Sequence, residues 1–130
     1  MTAFGIRKTL RATYDEALIR VPEALKTEGF GVLTEIDVQS TLKQKLGVDF
    51  RRYKILGACN PTFAHEALQT ELGIGVMLPC NVVVYEGDDQ RAVVMAIDPT
   101  QTMAGVGNPA LTKLATAVKD KLTSALARLE

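Results

Sequence analysis

Two β-rich runs, Cys80 to Tyr85 and Ala92 to Ile97, stand on either side of Glu86-Gly87-Asp88-Asp89-Gln90. Glycine and acidic turn residues between such runs are hairpin chemistry, so the pair must lie antiparallel. The hairpin is apolar on both faces: Val82 and Val84 alternate with Val83 and Tyr85, and Val93, Met95 and Ile97 alternate with Val94 and Ala96. Successive strand side chains point to opposite sides, so a helical layer on one face leaves a second apolar set in need of cover. Either helices of the same chain cover both faces, or a second copy does so as a homodimer across the sheet.

The flanking segments supply the rest of the fold. Gly5 to Ala12 reads as a first strand. Thr13 and Glu16, in capping-box register, open a helix with Leu18, Val21 and Leu25 on one stripe and Gly29 as its stop. Pro22 inside it removes a backbone hydrogen bond and crowds the preceding turn, which predicts a kink or a split. Phe30 to Ile36 is a second strand, and Asp37 caps a short helix with Val38, Leu42 and Leu46 as its buried stripe and Gly47 at its end. After a third strand, Tyr53 to Cys59, Asn60-Pro61 starts a helix running to about Leu72, with Ala64, Ala67, Leu68 and Leu72 inward and Gly73 as terminator. A second Asn-Pro pair, Asn108-Pro109, opens the most regular stripe: Leu111, Leu114, Ala115, Val118, Leu122, Leu126 and Leu129. This order predicts an α+β fold of one domain over residues 1–130, a mixed or antiparallel sheet with helices packed on it.

Charge and apolar run length exclude several functions. Fifteen basic side chains balance fifteen acidic ones, and no Lys/Arg cluster or interleaved aromatic row stands out, so nucleic acid is not an expected partner. The longest apolar runs are strand-sized, short of the roughly 20 residues that cross a bilayer. Met1-Thr2-Ala3-Phe4-Gly5-Ile6-Arg7 lacks the charged and then apolar pattern of a secretion signal. The expected location is therefore the cytoplasm, where two cysteines read as free thiols, metal ligands or redox groups rather than as a staple.

Cys59 ends a strand directly before a helix start, a place near unpaired N–H groups and the positive end of the helix dipole that favours nucleophilicity or metal affinity. Cys80 follows Leu78-Pro79 at the hairpin entrance. Their separation excludes a CxxC motif, so only the fold can bring them together; the alternative is that both fill the core as small apolar residues. His65, the only histidine, lies beside the apolar stripe of its helix, where it is a solvent-facing residue or a third ligand to Cys59 and Cys80. Glu35 and Asp37 fall on one strand face, as a proton-exchanging pair requires, but Asp37 is also the natural helix cap. Gly105-Val106-Gly107-Asn108-Pro109-Ala110 imitates a dinucleotide fingerprint without the strand before it or the βαβ unit after it. Ser40 and Ser124, the only serines, lie within helices and do not support Ser/His/Asp catalysis.

The segment Ile55-Leu56-Gly57-Ala58-Cys59-Asn60-Pro61, with Ala64 and Ala67-Leu68 and then Leu78-Pro79-Cys80-Asn81-Val82, resembles the domain-of-unknown-function 302 family. So does Gly29-Phe30-Gly31-Val32-Leu33-Thr34-Glu35-Ile36-Asp37-Val38. The resemblance implies a curved, mainly antiparallel sheet against helices, similar to the TATA-binding-protein-like arrangement, and a homodimer. It leaves activity open, but both thiols fall in the motifs that carry it. The expected ligand or redox residues are Cys59, Asn60, Cys80 and Asn81; the expected metal set is Cys59, Cys80 and His65, around a soft ion such as zinc or copper. The leading expectation is a two-cysteine site that binds such an ion, carries sulfur or cycles between dithiol and disulfide; the competing one is a binding or assembly module in which the cysteines are structural.

Overall fold

The computed structural model describes residues 5–130. Met1 to Phe4, on which the reading of the N-terminus partly rests, lie outside the described residues. The chain runs β1 (Gly5–Thr9), α1 (Tyr14–Thr27), β2 (Gly31–Asp37), α2 (Val38–Leu46), β3 (Tyr53–Cys59), α3 (Pro61–Thr70), a 3₁₀ segment (Leu72–Met77), β4 (Cys80–Glu86), β5 (Ala92–Ile97), α4 (Pro99–Thr102), a second 3₁₀ segment (Ala104–Val106) and α5 (Pro109–Ala127). The strands form one five-stranded sheet in the order β1-β5-β4-β3-β2, every neighbouring pair antiparallel. This is the α+β class the element order predicts.

Alternation decides which face is buried. Leu56 and Ala58 of β3, Val82 and Val84 of β4, and Ala92, Val94 and Ala96 of β5 meet Val21 and Leu25 of α1 and Leu122, Ala125 and Leu126 of α5 in one core. The terminal stripe thus seats as its periodicity requires, with Leu111, Ala115, Val118, Leu122, Leu126 and Leu129 all buried. A smaller cluster of Ala67, Ile74, Met103, Leu111 and Ala115 joins α3 to α5. The alternate residues Tyr53, Ile55, Val83, Tyr85 and Met95 lie on the other face and stay half-buried.

Three local expectations are corrected. Of the kink or split expected at Pro22, the split does not occur, since α1 is one helix; burial of Val21, Ala24 and Leu25 on either side offsets the missing bond. The stripe of α2 enters no core: the helix has no buried residue and Leu46 is 69% exposed, because α2 packs mainly on its adjoining strands β2 and β3. Finally, α3 stops at Thr70. Gly73 and Gly75 favour a tighter coil over continued helix, and Leu72 is left 84% exposed while Ile74 takes the buried place.

Candidate functional site: a two-cysteine pocket

Strand register brings the two cysteines to one end of the sheet. Ala58 pairs with Cys80 across β3 and β4, and Cys59 is the next residue along, paired with Gly31 of β2. Gly57 lets the chain before Cys80 close down on β3: a Cβ there would stand 2.8 Å from Cγ of Pro79 and collide with the Thr34 hydroxyl. The Leu78-Pro79 peptide in this stretch is cis.

Both thiols are free, and the two cysteine residues contribute to the wall of one cavity of about 30 Å³, with Phe30, Phe63, Leu78, Met103, Leu114 and Val118 among the others. The walls come from the end of β3, the start of β4, the residues just before each of β2 and β4, the helices α3 and α5, and Met103 after α4. Burial, reinforced by the charge of Cys59, pushes the Cys80 thiol up from its ordinary 9.0 to about 11. Cys80 is therefore a neutral thiol near pH 7.

Asn60 also lines the cavity, with its amide committed elsewhere. Nδ2 donates to the Glu28 carbonyl at 3.2 Å, and no side chain caps the first turn of α3. The contact needs a glycine at position 29: Gly29 has φ +85°, and a Cβ on it would stand 3.0 Å from that same Nδ2. Asn60 thus docks the start of α3 onto the end of α1, a role the helix-start signal did not disclose.

The other expected site residues fall outside the pocket. His65 is exposed on α3 and is not among the cavity walls, because the inward stripe of Ala64, Ala67 and Leu68 turns it to solvent. Asn81 is exposed on β4, opposite Gly57 on the far face of the sheet. Among the described residues no three His, Cys, Asp or Glu side chains gather as a metal-ligand group. The set Cys59, Cys80 and His65 is therefore not assembled, and two sulfurs alone fall short of the four ligands of a structural zinc. Glu35 and Asp37 do share a strand face, but Glu35 pairs with Lys54 at 2.5 Å, and Asp37 accepts the Ser40 N–H at 2.9 Å as the cap of α2. The glycine-rich segment before α5 likewise ends in a cap, Asn108 Oδ1 accepting from Ala110 at 3.0 Å.

A family profile described as a domain of unknown function, DUF302, matches residues 6–129. The chain belongs to the DUF302 family. A solved structure described as an uncharacterised conserved DUF302 protein from Bacillus stearothermophilus superimposes with a TM-score of 0.92 at 32% identity, covering 99% of this chain and 100% of that one. No curated protein matches. The DUF302 assignment accounts for the sheet-and-helix architecture and assigns no chemistry. No helix among the described residues is long and apolar enough to cross a membrane.

The pocket walls were the part hidden in the sequence of this DUF302 chain. No motif marks Phe30, Phe63 and Met103, which lie far apart in sequence and converge only in the folded chain. The nearest available signal was the recurrence of apolar residues immediately beside each cysteine motif.

Proposed function

We propose that the protein works in the cytoplasm through Cys59 and Cys80 as a thiol pair that cycles between dithiol and disulfide. The observation that carries this reading is that Cys59 and Cys80 both contribute to the wall of one small apolar cavity. Such a lining disfavours charge, and both end states of the couple are neutral. Cys59, as thiolate, attacks a small-molecule disulfide R–S–S–R; one S–S bond forms, the other breaks, and RS⁻ leaves. Cys80 then gives its proton to solvent base and displaces the second RS⁻, so the pair loses two electrons and two protons while two RSH form.

Equilibration with graded mixtures of oxidised and reduced glutathione tests this. Both thiols are expected to disappear together in the native chain, whereas Cys59→Ser and Cys80→Ser each leave the remaining cysteine as thiol or mixed disulfide. Two thiols persisting across the whole series would remove the reading, and a stoichiometric zinc or copper(I) ion blocking both would replace it with a metal-binding one.

A second reading concerns assembly and has its own observation. Tyr53 and Tyr85 stack at 5.3 Å between ring centroids and 5° between planes on the sheet face away from α1 and α5, beside Ile55, Val83 and Met95. A second copy of the chain covering this face would complete the burial that the two-faced hairpin requires.

A further inference from the structure

The cavity limits what the thiol pair can hold. By the same measure a single water needs roughly 10–15 Å³ and a benzene-sized guest roughly 150 Å³, so about 30 Å³ admits one or two heavy atoms beyond the thiols themselves. No charged side chain lines it, and its one amide, Asn60, is spent on the Glu28 carbonyl. An ionic cargo would meet no counter-charge, and an organic one would have to project through the open mouth of the cavity. A small, uncharged atom held covalently by a thiol satisfies both limits.

Resting on the reading of Cys59 and Cys80 as a reactive pair, we infer that the pocket shelters a single zero-valent sulfur atom, carried as a persulfide on Cys59. The donor is a low-molecular-weight persulfide or inorganic polysulfide. Cys59 attacks the terminal sulfur of R–S–SH, the donor S–S bond breaks, and RS⁻ departs and takes up the proton that Cys59 lost, giving Cys59–S–SH and RSH. Cys80 leaves the adduct intact while it is protonated, since only its thiolate can attack the inner sulfur. When it does attack, the products are the Cys59–Cys80 disulfide and HS⁻.

Anaerobic treatment of the reduced full chain with inorganic polysulfide, followed by intact-mass and peptide analysis, tests the inference. The expected result is a gain of one sulfur atom on Cys59, absent in Cys59→Ser and retained in Cys80→Ala. In the native chain the loss of that sulfur should accelerate about tenfold per unit between roughly pH 8 and 10, as the Cys80 thiolate fraction grows; Cys80→Ala should lack that slope. No sulfur gain, or a gain on Cys80, overturns the inference, and equal loss rates in native and Cys80→Ala chains overturn the role of Cys80 as the thiol that releases it. If polysulfide yields only the Cys59–Cys80 disulfide, the cargo fails and the thiol pair stands. If sulfur is gained but glutathione never links the cysteines, the pair fails and the cargo stands.

Discussion

At the scale of single residues, the half-buried Cys80 and the buried Asp98 tie the fold to pH in opposite directions. The Cys80 thiol is raised to about 11 by burial first and by Cys59 second. A raised value means the folded state prefers the protonated form, so its stabilisation is complete below the ordinary thiol value of 9.0 and is lost as pH climbs through about 11. We predict that unfolding free energy falls by an amount of order 2 kcal/mol over this window, and that Cys80→Ala flattens that fall; denaturant titrations at several alkaline pH values measure it. Asp98, 1% exposed, behaves the other way. Burial alone would raise its carboxyl, but the Thr100 hydroxyl and N–H and the Lys119 ammonium, the last at 3.0 Å, outweigh burial and hold it below the ordinary 3.8. Its contribution is present above that value and disappears as pH falls beneath it. Asp98→Asn, which keeps the shape and removes the charge facing Lys119, should cost about 1–3 kcal/mol at neutral pH in thermal or urea unfolding. An unchanged midpoint would contradict this account of the pair.

At the scale of elements, the pocket is made by strand ends and by the start of one helix. Gly57→Val would force Pro79 away from β3 and carry Cys80 with it. Overpacking of this kind costs about 1–3 kcal/mol, and the expected result is a less stable chain with impaired disulfide formation. Asn60→Ala frees the Glu28 carbonyl and loosens the start of α3, and should raise the rate at which iodoacetamide modifies Cys59 in the native protein. How much of this was legible in the sequence follows the range of the forces involved. The capping box of Thr13 and Glu16, the Asn-Pro helix starts, the hairpin loop and the α5 stripe are local, and each stands where its pattern predicts. The stripe of α2 finds no core because β2, against which the helix lies, takes the edge of the sheet, and no local pattern shows which strand will do so. The shared cavity of Cys59 and Cys80 was foreseeable as a geometric option, because one ends a strand and the other begins one; their convergence needed the register of β3 on β4.

At the scale of the whole molecule, all described strands lie in one sheet whose core face is sealed by α1 and α5, while Tyr53, Ile55, Val83, Tyr85 and Met95 remain half-buried on the other face. If two copies meet there, the native chain sediments as a dimer and Tyr85→Asp, which places a charge beside the Tyr53 ring, sediments as a folded monomer. A native monomer at high micromolar concentration would remove the dimer without touching the pocket. The functional account rests on a single proximity, and peptide mapping of the fully oxidised native chain tests it most directly. The account predicts one intramolecular crosslink joining the Cys59 and Cys80 peptides within a single chain. Recovery of both cysteines as unlinked thiols, or linked only between chains, would contradict it.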